Sequence, residues 1–249
     1  MRLKNIQLKS LLPLFIFFVV SGQLFSQHNI KFNIDHYAND TVMVGYYYGD
    51  RQLSKDTVIR NDKGKFVFEG KDTLDKGVYI LLLKPNYQYV QFLIDDEPAE
   101  FEMKFDTSDL SDIQFKGSKF NKEFYSYLDF LTEQRSKADK IRSDIKAMEA
   151  NGRLDNEVLN LQLTAIDKEE KERQHKIVEE NPHSVLAMLI RANFENPLPD
   201  FEGTEEEVQM KRYLYYKEHY FDHIDFKNQA LIRTPFINDR IQYYLDKLT

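Results

Sequence analysis

The sequence predicts an α+β protein in which an antiparallel β-sandwich precedes an α-helical domain. Between residues 30 and 115, seven or eight short runs rich in β-branched and aromatic residues alternate with turn signals, as in sandwich domains. From Phe120 onward, apolar residues recur at helical spacing instead. We therefore expect a β-sandwich over residues 27–118 and a helical domain over residues 119–249, which we expect to be incomplete at its C-terminus.

Residues 1–26 have the pattern of a secretory signal peptide. Three basic residues precede an apolar segment over residues 11–20, which is too short to cross a bilayer as a helix. The basic residues are Arg2, Lys4 and Lys9. Small residues suited to cleavage stand at Gly22 and Ser26; we favour Ser26, and an uncleaved anchor is the alternative. The prediction is export to the periplasm or cell envelope, with no transmembrane segment after cleavage.

The short runs between the turn signals are expected to form the strands. The runs cover residues 30–34, 41–48, 56–59, 65–69, 78–84, 87–94, 99–105 and 113–115. Asn61-Asp62-Lys63-Gly64 predicts a tight hairpin between the third and fourth strands, because glycine and Asn/Asp accept the positive φ of such turns. The fifth run is almost continuously apolar, which predicts a strand buried on both faces.

Helical spacing and capping signals place the elements of the second half. Two long helices are expected over residues 120–148 and 155–178, as an antiparallel pair, and a short apolar helix is expected over residues 184–194. Thr204 and Glu207 have the spacing of a capping box, which predicts a helix that continues to about Tyr220. Thr234-Pro235 predicts the start of a final helix, with the threonine as its N-cap.

Composition excludes several classes of function. The 249 residues include no cysteine, so the chain has no structural disulfide, no thiol nucleophile and no lipid-modified cysteine. A formal net charge of -7 argues against nucleic acid and an anionic membrane surface as partners, because phosphate binding needs a concentrated basic face. The nucleophile-elbow and phosphate-loop motifs are absent from the sequence. We assign no catalytic, cofactor-binding or metal-binding residue, and we expect the chain as given not to be an enzyme.

Two groups of potential metal ligands have structural alternatives that we favour. His219 and His223 stand at i, i+4, but Tyr220 occupies the position where a zinc hydrolase has its glutamate. We expect this segment to be a helix end packed through its aromatic residues, which are Tyr220, Phe221 and Phe226. Asp95-Asp96-Glu97 lacks the ligand spacing of a calcium loop and is expected to be a turn at a strand end.

Five tyrosines near the strand ends are a candidate platform for a sugar or a peptide. They are Tyr46, Tyr47, Tyr48, Tyr87 and Tyr89. Tyrosine is also common in half-buried strands, which is the structural alternative. If the platform exists, substitution of Tyr46 and Tyr89 should weaken partner binding.

Two stretches resemble a family of bacterial cell-envelope proteins. The first stretch comprises Ile30-Lys31-Phe32-Asn33-Ile34, Asp40 with the following run to Asp50, Asp56-Thr57, Gly64-Lys65-Phe66-Val67-Phe68, Gly77-Val78-Tyr79 and Phe115-Lys116-Gly117-Ser118. It resembles the N-terminal β-domain, of uncharacterised function, of thioredoxin-like thiol:disulfide interchange proteins. The second comprises Tyr215-Tyr216-Lys217-Glu218-His219-Tyr220-Phe221-Asp222, Arg233-Thr234-Pro235-Phe236 and Tyr243-Tyr244-Leu245. It is similar to the helical domain that follows in those proteins.

The resemblance implies a non-catalytic role. In that family the chemistry belongs to a third, thioredoxin-like domain with a C-x-x-C pair, and no position of this chain matches that motif. The implied function is docking of a protein or peptide partner or substrate for a thiol:disulfide oxidoreductase. The alternative is a free-standing envelope module that binds a glycan or a peptide.

Overall fold

The structure, a computed structural model, describes residues 27–152 and 155–249. The predicted signal peptide over residues 1–26 lies outside these residues. Eight strands are followed by five α-helices, which confirms the α+β class. The strands are β1 (His28–Asp35), β2 (Thr41–Tyr48), β3 (Arg51–Ile59), β4 (Phe66–Gly70), β5 (Gly77–Leu83), β6 (Gln88–Ile94), β7 (Ala99–Asp106) and β8 (Asp109–Lys116). The helices are α1 (Lys119–Ala150), α2 (Glu157–Glu180), α3 (Val185–Arg191), α4 (Glu205–Glu218) and α5 (Ile237–Lys247), with a 3₁₀ helix (Gln229–Arg233) before α5.

The strands form two four-stranded sheets. The first has the order β4-β1-β7-β8 and the second the order β3-β2-β5-β6. Neighbours are antiparallel except β1 and β7, which run parallel with Ile30 opposite Phe101. The expected sandwich is therefore antiparallel apart from one pair. All of the second sheet lies between β1 and β7 in the chain, and so long a connection allows a parallel return.

The predicted hairpin at residues 61–64 reverses the chain, but the strands on either side belong to different sheets. Gly64 has φ +76°, and the Asn61 side chain accepts hydrogen bonds from the backbone N–H groups of Lys63 and Lys65 at 3.1 and 3.0 Å. Only an isolated bridge, Arg60 to Phe66, joins the two arms, because β3 pairs with β2 while β4 pairs with β1. The turn was predictable; the divergence of its strands was not.

The inner faces of the two sheets enclose the first core. Its largest side chains are fully buried and come from both sheets. They include Phe32, Phe66, Phe68, Phe92 and Met103. The alternating burial along β1 and β7 is the pattern that predicted these strands.

The helices cover part of the outer face of the second sheet and form a second core there. Tyr47, Val78, Ile80 and Leu93 project from the outer face into this core. Their helical partners include Phe124, Tyr127, Ile177, Leu186, Leu231 and Ile237. Because β5 lies between both cores, six of its seven residues are buried. This confirms the prediction made from its continuous apolar run.

Helices α1 and α2 form the expected antiparallel pair. Gln134 of α1 donates to Glu169 of α2 at 2.9 Å, and nearer the sandwich Gln174 donates to Tyr127 at 3.1 Å. Across the described ranges, no helix combines the length and the apolar character that crossing a bilayer would require.

Of two helix starts predicted from capping signals, one is confirmed and the other is wrong. The capping box at the start of α4 is present, with both the Thr204 and the Glu207 hydrogen bonds. The last helix begins at Ile237 and not at Pro235, so the predicted N-cap is wrong. Thr234 is buried and its hydroxyl donates to the Leu231 carbonyl oxygen at 2.6 Å, which ends the 3₁₀ helix instead.

Candidate functional site: an apolar groove and a tyrosine cleft

The five tyrosines of the predicted platform do not share a surface. Successive residues of a strand point to opposite faces, so Tyr46 packs inside the sandwich, 5.8 Å from the ring of Tyr79. Tyr47 is buried towards the helices, and its hydroxyl accepts a hydrogen bond from Gln91 at 2.9 Å. Only three of the five are exposed, namely Tyr48, Tyr87 and Tyr89. Tyr46 is half-buried against the sandwich core, so it does not share one surface with the three exposed tyrosines.

The histidine segment forms the end of a helix. Helix α4 stops at Glu218, so His219 caps it and its Nδ1 lies 2.6 Å from Asp222 Oδ2. His223 instead packs against Phe194. No group of three His, Cys, Asp or Glu side chains within residues 27–152 and 155–249 could hold a metal ion.

The three aromatic residues in this segment pack against aromatic neighbours, as expected. Tyr220 and Phe221 lie 5.6 and 4.9 Å from the ring of Tyr244 in α5. Phe226 meets the ring of Phe221 edge to face at 5.3 Å but remains 57% exposed. Its exposed part borders the apolar groove described below.

The acidic residues at 95–97 have three separate structural roles. Buried Asp95 accepts the backbone N–H of Val185 at 2.6 Å, and burial raises the pKa of its carboxyl above 3.8. Lys76 pairs with Asp96 and lies 3.8 Å from Asp95. Glu97 accepts the backbone N–H of Lys119 at 3.0 Å at the start of α1. Each of the three carboxylates is therefore engaged by a group of the chain itself.

An apolar groove lies where the end of β2 meets the 3₁₀ helix and α5. Its volume is about 560 Å³. Four large side chains line it while remaining 38–57% exposed, and they are Tyr48, Phe226, Ile232 and Ile241. Buried Leu231 and Ile237 also contribute to its lining. Single exposed apolar residues are ordinary, but several around one concavity mark an interaction site.

Close backbone contacts fix the geometry of the groove. The Gly49 N–H donates to the Ile232 carbonyl oxygen at 2.7 Å. At Gly77, φ is +152°, and an added Cβ would lie 2.3 Å from Cβ of Arg233. Glycine is required there for both reasons. Gly49 and Gly77 belong to the first stretch that carries the family resemblance and Arg233 to the second, so the two stretches meet at the groove.

The groove is almost uncharged. Its one ionic side chain is Arg233, which is engaged by Asp75 at 2.5 Å. Within the part of the chain that the structure describes, the side-chain amides of Gln229 and Asn238 make no hydrogen bond and line the groove. The arrangement can therefore bury apolar side chains and bond a peptide backbone through these amides.

A second concavity, the tyrosine cleft, lies between α4, the start of α5 and the loop over residues 193–198. Its volume is about 740 Å³. Four tyrosines line it, and they are Tyr213, Tyr215, Tyr216 and Tyr220. Asn196 donates to the His219 carbonyl oxygen at 2.7 Å and fixes the loop to the end of α4. The rings of Tyr215 and His219 are tilted by 39° with their centres 4.1 Å apart, and both residues line the cleft.

The cleft has a positive excess in an acidic protein. Two arginines line it, Arg212 and Arg240, against one acid, Glu195. Among the described residues neither arginine forms an ion pair with a carboxylate. The Arg240 guanidinium lies 5.4 Å from the ring centre of Tyr220. Burial raises the pKa of the Tyr220 hydroxyl, so this group stays protonated and can donate.

Comparison with known proteins bears on the β-region only. Residues 28–124 match the family model described as Domain of unknown function (DUF4369). The matched range contains all eight strands and the start of α1. No curated protein and no solved structure matches the chain significantly. The thiol:disulfide part of the resemblance therefore stays a prediction.

Sequence reasoning missed both concavities. Tyr48 and Phe226 lie far apart in the chain, and nothing in either local pattern indicates that they border one groove. In α5, Ile241 belongs to a regular apolar stripe, which predicts burial and not exposure. For the cleft, the clustering of four tyrosines beside Arg212 over residues 212–220 was an available signal.

Proposed function

We propose that this chain is the non-catalytic docking portion of an exported thioredoxin-like thiol:disulfide oxidoreductase. The observation that supports the docking role is the apolar groove. Four large side chains line it while remaining exposed, and its charged residue Arg233 is paired with Asp75. The redox assignment rests on the family resemblance. Disulfide exchange requires thiolates, and this chain has no cysteine, so the reacting thiols belong elsewhere.

The occupant proposed for the groove is an apolar segment of an incompletely folded protein. Such segments expose side chains that a folded protein buries, and they keep backbone groups free to bond the amides of Gln229 and Asn238. A charged peptide would be disfavoured, because the groove has no free ion to pair with it. Incompletely folded chains are also the substrates in which cysteine pairing is still unsettled.

The test is binding of reduced, carboxymethylated α-lactalbumin, which cannot refold, measured by fluorescence anisotropy with the purified chain. Phe226→Asp and Ile232→Asp place a charge in the groove at exposed positions. Each should weaken binding about tenfold or more, because fully burying such a side chain contributes about 1.5–3 kcal/mol.

Leu161→Asp is the matched control, since Leu161 is 62% exposed on α2 and lies outside the groove. This variant should bind as the wild type does. Equal weakening by all three changes would indicate a general surface effect, and unchanged binding by the groove variants would reject the groove as the docking site.

The second candidate function is a free-standing envelope module for a glycan or a peptide. The tyrosine cleft favours it, because a pocket of this size with aromatic walls and a few polar groups is typical of small-ligand sites. Retention of the chain on a glycan or peptide array would support this function, and no retention on either array would count against it.

A further inference from the structure

We propose that the tyrosine cleft binds an acidic saccharide, a sugar ring that carries a carboxylate. The proposal rests on the second candidate function and specifies its ligand. The supporting observation is that two arginines, which form no ion pair with a carboxylate among the described residues, lie beside tyrosines in one cleft.

The arginines select the anionic group. A guanidinium matches a carboxylate through two parallel hydrogen bonds, and such charge-assisted bonds are stronger than neutral ones. Arg233, by contrast, already pairs with a carboxylate of the chain, that of Asp75, at 2.5 Å. Arg240 is half-buried against Tyr220, so its guanidinium is oriented before a ligand arrives.

The tyrosines select the ring. Tyr216 and Tyr220 meet edge to face at 5.5 Å, and both line the cleft. Within the described residues these two hydroxyls make no hydrogen bond, whereas that of Tyr215 donates to the Pro197 carbonyl oxygen at 3.3 Å. A sugar offers apolar C–H faces to such rings and hydroxyls to such edges.

The remaining polar groups suit hydroxyls and not a second anion. Asn193 lines the cleft while its Nδ2 donates to the Leu189 carbonyl oxygen at 2.9 Å, and Glu195 is an acceptor that would repel a second negative charge. A ligand with one carboxylate per ring and several hydroxyls fits this set better than a multiply charged phosphate. The volume of about 740 Å³ also exceeds what a lone inorganic anion would fill.

The experiment is titration calorimetry of the full chain with trigalacturonate, with neutral maltotriose and with inorganic phosphate as separate probes. Trigalacturonate should bind at least about tenfold more tightly than the other two, since hydrogen bonds to charged groups exceed neutral ones. Arg240→Gln and, independently, Arg212→Gln should each reduce trigalacturonate binding about tenfold.

Arg142→Gln on α1 is the control for loss of one arginine, because Arg142 is exposed and lies outside the cleft. Equal binding of the acidic and neutral sugars would overturn the acidic specificity while supporting a glycan function. Tighter binding of phosphate, no sugar binding at all, or unchanged binding by both cleft variants would overturn the proposal. Phe226→Asp should leave sugar binding intact, which separates this site from the groove.

Discussion

Asn121 lies fully buried where α1 meets β6, and its side chain takes the place of a neighbouring strand. Its Oδ1 accepts the Leu93 N–H at 2.7 Å, and its Nδ2 donates to the Leu93 carbonyl oxygen at 2.9 Å. Beside it, the Tyr125 hydroxyl donates to the Gln91 carbonyl oxygen at 2.7 Å. Strand β6 is an edge strand of its sheet, and these bonds satisfy backbone groups that would otherwise be open.

Replacement of Asn121 by alanine should destabilise the protein strongly. Both Leu93 backbone groups would be buried without partners, and each such group costs about 1–3 kcal/mol. The free energy of unfolding should fall by about 2 kcal/mol or more in urea titrations.

Asn160→Ala is the comparison, since Asn160 is exposed on α2 and donates only to the Asn156 side chain. It should change the free energy of unfolding by less than about 0.5 kcal/mol. A similarly small change for Asn121→Ala would contradict the interpretation that the Asn121 side chain replaces a neighbouring strand beside β6.

Asp95 makes the stability of the folded protein depend on pH, and the sign of this dependence follows from its raised pKa. Burial raises the pKa of its carboxyl above 3.8, and the N–H groups of Val185 and Asp96 and the Lys76 ammonium oppose the shift without cancelling it. Between 3.8 and the raised pKa, the folded protein therefore binds more protons at this site than the unfolded chain does. The Asp95 contribution to stability must fall as pH rises through that window.

Asp95→Asn should remove this dependence while keeping an oxygen that accepts the Val185 N–H. The difference in unfolding free energy, wild type minus variant, should decrease as pH rises from below 3.8 and then level off. Urea titrations across this range provide the measurement. A difference that increases with pH would contradict the burial of an ionisable carboxyl at this position.

At the scale of elements, the contact between the 3₁₀ helix and β5 joins the helical layer to the sandwich beside the groove. Gly77 begins β5, and Arg233 ends the 3₁₀ helix directly against it. Gly77→Ala should lower the free energy of unfolding by about 1–3 kcal/mol, the usual range for overpacking. It should also weaken binding at the groove, because the 3₁₀ helix must move away.

Gly152→Ala is the matched control for backbone strain. Gly152 also has positive φ, at +71°, but an added Cβ would meet nothing within 4 Å. The variant should lose stability without losing groove binding. If both glycine variants bind equally to the unfolded probe, the contact at Gly77 does not position the groove.

Element prediction succeeded where local chemistry decides the structure. The capping box of α4 satisfies amides within four residues, so Thr204 and Glu207 identify the helix start without tertiary information. Thr234-Pro235 failed because the threonine hydroxyl ends the preceding 3₁₀ helix, an element with no strong sequence pattern. Likewise, the alternation of apolar and polar residues predicted β3 and β4 but did not indicate which sheet each strand would join.

At the scale of the whole molecule, the sandwich and the helices share the second core. The apolar run of β5 predicted a strand buried on both faces, and the helices bury its outer face. The groove and the cleft could not be predicted in the same way, since they depend on which apolar residues of the helical layer remain uncovered. Tyr48 of β2 contributes to the groove only because the 3₁₀ helix bonds to Gly49.

The most direct test of the docking proposal is hydrogen–deuterium exchange of the whole chain with and without reduced, carboxymethylated α-lactalbumin. Protection should appear together at the end of β2 near Tyr48 and over residues 226–241, which form the groove, and not over residues 158–165 of α2. Protection confined to α2, or to the tyrosine cleft over residues 212–220, would contradict docking at the groove.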